Sequence, residues 1–580
     1  MWPFCYRYPV LSVDQIVGRE YDYIIVGGGT AGCAIASRLS ENSGTRTLLL
    51  EKGGTNNHWY TRIPLTSVAR GNYLVQMDTT SSGSRKGRVL TAETLGGCSR
   101  INGMIYMRGL RSYHDRLEKM GHPEWSWAKV LPYFQRLERG AQNSSTAALG
   151  IQTRRHEPTS GMYDYLEKSI RELGIPLNLD SGEEHGTGGY HHLDLTIDPQ
   201  GFRHSAERAY LPHELVSQRR DSLHICVGAL VSRLDILAGN DTVSGVFLIA
   251  QSDQEVLVKA RREVIISAGA LSTPKILQLS GIGPRELLER HAIPVYHEIP
   301  GVGKHLSDHS GIPVFIEIPS HDTMYQVAGS YFHAASHFFK FLAFGSGWFK
   351  SCVDRAIYLD TAHVDLSVME GFQQPKGSAT RKDVSVTSKR DGDAPDIEIM
   401  IIPMNTEDEL YPDISAVTLQ TCLNMPRSTG AVDIVSRNPK EHPRIHFDRM
   451  ADSEDRIVAR KGLRFALRLA QHFIQHSGYP YSARIFHGPG RSWDMLNDQE
   501  LDDYIDSNIT SVYHLTSTCK MGRREAGGVV DDNLRVYGYK NLRIADASIL
   551  PTVTPVHPMS TVYMVAERCA DLVKDTWCRA

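Results

Sequence analysis

The chain has 580 residues, with 63 Lys and Arg against 66 Asp and Glu and a formal net charge of -3. That length exceeds what one hydrophobic core serves, so two or more domains are expected. The balanced charge provides no basic face for wrapping nucleic acid.

Residues 1–20 read as an N-terminal extension without the basic start and sustained apolar core of a secretory signal. Tyr23-Ile24-Ile25-Val26 is β-branched and apolar, as befits a strand buried on both faces. Gly27, Gly29 and Gly32 then supply G-x-G-x-x-G, and Ala34, Ile35 and Leu39 follow at helical spacing. A second strand, Thr47-Leu48-Leu49-Leu50, delivers Glu51 at its carboxyl end, about 20 residues on. Glycines let the backbone turn tightly against a pyrophosphate, the helix N-terminus offers it free N–H groups, and the acid holds a ribose 2′-OH. This layout predicts dinucleotide binding.

Gly87–Gly109 is a second glycine-rich segment. Residues 110–140 are helical in pattern, anchored by Trp125, Trp127, Leu131 and Phe134, and Ala141–Gly150 reads as a surface loop. Between Leu223 and Ile266 several strands are expected, among them His224–Val227, Val243–Ala250 and Val264–Ser267. Gly269–Pro284 makes a strand-to-helix turn and a glycine stop. No apolar run reaches transmembrane length. The nearest, Phe332–Phe349, is interrupted by His333, His337 and Lys340 and reads as a buried or channel-lining helix, with peripheral membrane contact as the alternative. Lys376–Pro395 is a polar, exposed loop, and the strands beside it, Ala362–Met369 and Asp396–Ile402, suggest a separate sheet. The last 70 residues are again dense in motifs, so both chain ends are expected to build one cofactor domain around an inserted sheet-bearing domain.

Nine cysteines are scattered without paired spacing, which favours free thiols and a reducing, cytoplasmic compartment. The sequons at Asn143, Asn240 and Asn508 argue the other way. No metal site is expected.

Four segments in this order resemble the glucose–methanol–choline (GMC) flavoprotein oxidoreductases from Tyr21 to about Val573: VGGGTAGCAIASRL, LGGCSRINGMIYMRG, GALSTPKILQLSGIGP with PGVGKHLSDH after it, and HLTSTCKMG with LRIADASILPTVTPVHPMSTVYMVAERCADLV. The resemblance implies FAD as cofactor. It also implies an α/β plus α+β architecture: a Rossmann-like FAD-binding domain with an inserted, sheet-bearing substrate domain, as in glucose oxidase. The expected parts are FAD-binding 21–155, cap segment 156–215, FAD-binding 216–310, substrate-binding 311–510 and FAD-binding 511–580. Thr30 and Ala31 would contact the pyrophosphate, Glu51 the adenosine ribose, and Val231 the adenine through its backbone. Asn102, Gly103, Met104 and Ile105 would lie along the pyrophosphate and flavin. Asp546 and Ala547, then Pro558 and Met559, would lie against the pyrophosphate–ribityl portion and the ring. Some family members tether FAD through a histidine in the GGCS segment; Ile101 stands there, so FAD is expected to be non-covalent.

Among 25 histidines, His514 and His557 open the two tail motifs and match the family's catalytic pair. Alcohol oxidation moves a hydride from the carbinol carbon to flavin N5 while the hydroxyl loses its proton. Imidazole, with a reference pKa near 6.5, is suited to accept that proton. His514 is assigned as this base, and His557 as the hydrogen-bond partner of the substrate oxygen; the two could share the base role. A helix is expected from near Ser560, its apolar stripe running through Val562, Val565, Ala566, Cys569, Leu572 and Val573 and its positive N-terminus toward the flavin. Tyr513 is either a gate at the reacting face or a packing aromatic. Cys98 and Cys519 read as small packing residues, and Asp308-His309 as structural.

The expected function is oxidation of a small alcohol, O2 (giving H2O2) or another acceptor taking the electrons. The aromatic stretch Tyr331–Phe349 hints at a hydrophobic or aromatic alcohol over a sugar, with core packing as an equal explanation. The alternative is a lyase or cyclase of the same family that carries FAD without net redox.

Overall fold

The computed structural model describes residues 8–56, 58–65, 73–81, 87–142, 149–178, 188–237, 239, 241–250, 252–350, 353–361, 394–407 and 409–578. The expected strand Ala362–Met369, all but the end of the Lys376–Pro395 loop, most of Ala141–Gly150, and Asn143 and Asn240 lie outside them.

Two sheets organise the chain. In the first, the strand Glu20–Val26 runs parallel to Thr47–Glu51 on one side and to Glu255–Ile266 on the other. Leu223–Val227 extends the parallel set beyond Thr47–Glu51, and Leu542–Ile544 pairs the far end of Glu255–Ile266. Tyr21 to Val26 are all buried, which is why the run carries no polar alternation beyond Asp22. The parallel register brings Val26, Glu51, Ile266 and Ile544 to one edge. The loops leaving that carboxyl edge are where an open α/β sheet takes its ligand. Leu230–Ile236 and Val243–Ile249 add an antiparallel meander onto the first half of Glu255–Ile266, a strand longer than its Val264–Ser267 core suggested.

The second sheet has eight strands, in the order Leu177–Asn178, Gly189–His192, Arg355–Leu359, Ile397–Ile402, Ala416–Leu423, Ser310–Glu317 and Arg484–Phe486, with Thr510–Ser511 also on Ser310–Glu317. The separate sheet is therefore present, and Arg355–Leu359 is the partner of Ile397–Ile402. All residues of Ile397–Ile402 are buried, but side chains alternate between two cores. Ile397, Ile399 and Ile401 join the cluster under the helix Ser453–His476, whereas Met400, Ile402 and Tyr358 join the cluster of the first sheet. By this period of two, Glu398 belongs to the face turned toward the first sheet.

Two helices differ from expectation. In Tyr331–Phe344, Tyr331 is 98 %, Phe332 79 % and Phe344 74 % exposed, and only His337 and Phe341 are buried. The helix rests on a narrow seam, with Phe341 edge-on to Phe202, so it is not buried as a whole. No described helix is long and apolar enough to cross a membrane. Met559–Cys578 begins where expected, and Met559 to Ala570 are all buried rather than only one stripe. Its polar face is covered because Glu567 accepts from Arg38 and Tyr210, at 2.9 and 2.8 Å, and Arg568 stacks over Trp125.

Candidate active site

Local sequence shapes the nucleotide end. Gly27 adopts φ 105°, and a Cβ there would lie 2.4 Å from Ser267 O. A Cβ on Gly32 would lie 1.8 Å from Gly27 O, so the helix Thr30–Leu39 packs against the strand only with glycine at that position. Gly29 and Gly103 differ: a Cβ on Gly29 meets only Gly97 Cα at 3.9 Å, and one on Gly103 meets nothing within 4 Å. Cys33 N–H donates to Gly29 O, so the N–H groups of Thr30, Ala31 and Gly32 precede the helical ladder. Open space beside unladdered N–H groups fits a pyrophosphate.

Glu51 is buried and accepts from the N–H groups of Gly28 and Gly53, each at 2.8 Å. Burial raises its pKa, and those two N–H groups work against the rise. It thus holds the glycine loop. Val231 lies on the strand Leu230–Ile236. Asp546 is buried, accepting from Gly269 N–H, Thr273 hydroxyl and Ser548 N–H, and so joins the starts of the helix Gly269–Leu279 and of the 3-10 turn Ala547–Ile549.

At the other end, Asn102 donates to Met559 Sδ and its Oδ1 accepts from Met104 N–H and Arg203. This ties the GGCS segment to the start of the last helix, with Pro558 just before it. Met104 is held at φ 65°, and Ile105 pairs with Leu195. Cys98 is exposed rather than packed, whereas Cys519 is fully buried; all seven described cysteines are free.

His514 and His557 meet edge to face, ring centroids 4.6 Å apart. Each ring is fixed by a partner from a distant segment. His557 Nε2 lies 3.1 Å from Glu398 Oε1, which also accepts from Tyr358 OH at 2.7 Å. Burial works to raise the Glu398 carboxyl, but His557 and Tyr358 hold it below the ordinary range. An ionised carboxylate only accepts, so His557 Nε2 carries a proton, which leaves Nδ1 as its other polar atom. His514 Nδ1 lies 2.9 Å from His309 Nδ1, and its backbone N–H donates to Asp308. The His514 imidazole is held well below 6.5, first by burial and then by His557 and His309, so it is neutral at pH 7. Tyr513 stands beside it at φ 65°, half exposed.

Sequence reasoning missed Glu398 and the reach of His309. A signal for the first was present: Glu398 is the one charged residue in Ile397–Ile402, and an acid inside an otherwise apolar strand implies a buried partner.

Residues 21–311 and 426–566 match the N- and C-terminal family models described as GMC oxidoreductase. The oxygen-dependent choline dehydrogenase of Pseudomonas syringae pv. tomato is 30% identical over 571 residues, covering 96% of this chain and 94% of that protein. A variant of formate oxidase from Aspergillus oryzae superposes with a TM-score of 0.82 at 25% identity, covering 97% of this chain and 99% of the other. A fungal aryl-alcohol oxidase shares the fold, with a TM-score of 0.76 at 22% identity over 96% of this chain and 99% of that one.

Proposed function

Starting from the premise that this chain belongs to the GMC oxidoreductase family and is an FAD-dependent oxidoreductase, we propose that it oxidises a small alcohol at its carbinol carbon. His514 takes the hydroxyl proton and His557 holds the substrate oxygen. Bound FAD supplies the two-electron acceptor for the hydride, and O2 or another oxidant then takes the electrons. The observation that carries this reading is the pair of rings 4.6 Å apart with opposite support: His514 neutral against a neutral histidine, His557 backed by a carboxylate. A neutral proton acceptor beside an imidazole whose positive form a carboxylate stabilises suits a reaction that removes a proton and builds negative charge on oxygen. The names of the relatives, choline dehydrogenase and aryl-alcohol oxidase, favour a CH–OH donor over the lyase or cyclase alternative.

Anaerobic mixing of the holoenzyme with aryl, aliphatic and quaternary-ammonium alcohols tests the reading. Loss of flavin absorbance with one class supports it, and admitting air then separates oxidase from dehydrogenase. A flavin that no alcohol bleaches contradicts it.

Because a base works unprotonated, the rate of flavin reduction is expected to fall as pH drops through the lowered His514 value. The acid limb of that profile therefore has its midpoint below pH 6.5; a midpoint above 6.5 contradicts the assignment. We propose non-covalent FAD, since Ile101 offers no tethering atom. Acid precipitation should release all yellow colour to the supernatant, and colour in the pellet would show a covalent bond.

A further inference from the structure

Asp308 and His309 lie outside the proposed pair of reacting histidines, yet their contacts converge on one of them. His309 is fully buried, its Nε2 3.0 Å from Asn424 O and 2.9 Å from Thr554 O. Carbonyl oxygens only accept, so Nε2 carries the proton. Burial pushes the His309 pKa down to about 4, so the ring is neutral and its Nδ1 is a bare lone pair. That lone pair lies 2.9 Å from His514 Nδ1. Two lone pairs at this distance repel, so the proton of neutral His514 sits on Nδ1.

Asp308 fixes the same residue through the main chain. Its Oδ1 accepts from His514 N–H at 2.8 Å, and its Oδ2 accepts from Ser511 hydroxyl and Arg449. Ser511 Oγ in turn accepts from Tyr513 N–H at 2.9 Å, holding Tyr513 in a left-handed conformation that a bulky residue disfavours. Four hydrogen bonds thus maintain a strained turn whose product is the placement of His514.

We propose that Asp308 and His309 are positioning residues: Asp308 places the His514 backbone, and His309 selects the tautomer whose only proton-accepting atom is Nε2. Free histidine in water prefers the opposite tautomer, with Nε2 blocked, so the contact inverts the intrinsic preference. The inference rests on the alcohol-oxidation reading for its catalytic meaning, but the tautomer itself is independent of turnover.

The test uses FAD-loaded enzyme carrying 15N-labelled histidine, with the His514 signals identified by their loss in His514→Gln. The expected spectrum has His514 protonated on Nδ1 alone. In His309→Leu, which lacks an acceptor, the Nε2-protonated form should appear and kcat should drop by about tenfold or more, with KM nearly unchanged. His309→Gln keeps an amide oxygen for His514 and N–H groups for the carbonyls, so it should restore the parent tautomer and most of the rate. An Nε2-protonated His514 in the parent enzyme overturns the proposal, as does His309→Leu with an unaltered spectrum and rate. If His309→Leu does not fold, the parent spectrum and His309→Gln decide. If no alcohol reduces the flavin, the functional reading fails while the spectrum still tests the tautomer.

Discussion

His514→Ala is expected to lower the rate of flavin reduction by about 10²–10⁴, the share a general base contributes, while FAD stays bound. The fold around the position does not depend on the ring. The bond from residue 514 to Asp308 is made by the backbone N–H, and Ser511 and Arg449 hold Asp308 independently. The removed contacts are the ring's own, to His309 Nδ1 and to the His557 ring. Anaerobic reduction rates, with FAD content measured on the same samples, separate loss of chemistry from loss of cofactor. An unchanged rate would remove His514 from the base role.

Gly29→Leu should yield a folded protein that has lost FAD, with affinity down by at least about a hundredfold, because the pyrophosphate needs close backbone approach. Gly29 sits at φ -79° and ψ -159°, which leucine can adopt. Its Cβ would find only Gly97 Cα, at 3.9 Å, so the protein leaves room for the first carbon of a side chain. The added side chain fills the space beside the first N–H groups of the helix Thr30–Leu39. Gly32→Ala is the contrasting case, since its Cβ would collide with Gly27 O at 1.8 Å and damage the fold itself. Absorbance of the flavin against protein, together with thermal unfolding, reads both effects. A Gly29→Leu protein that is fully yellow would contradict the assignment of this loop to the pyrophosphate.

The difference between these two glycines could not be read from G-x-G-x-x-G, although the motif itself was plain in the sequence. Phosphate-binding loops write their requirements into six neighbouring residues, and the strands on either side are apolar because both faces are covered. His514 and His557 were legible through their tail motifs. The groups that orient them were not, because those contacts span the chain: Glu398 is 159 residues from His557, and His309 is 205 from His514. No local spacing records such a pairing. The Tyr331–Phe344 helix failed for a different reason. Aromatic composition does not reveal whether a neighbour covers a face, and here Tyr331 and Phe332 lie open. Conversely, Glu567 and Arg568 look like surface charges in sequence, but partners from residues 38, 210 and 125 bury them.

The most direct measurement is the anaerobic rate of flavin reduction with the best alcohol from the panel, protiated and then deuterated at the carbinol carbon, in parent enzyme and His514→Ala. A primary isotope effect is expected in both proteins, with a rate lower by about 10²–10⁴ in the variant. Reduction that ignores carbinol deuteration, or that proceeds equally fast without His514, would contradict it.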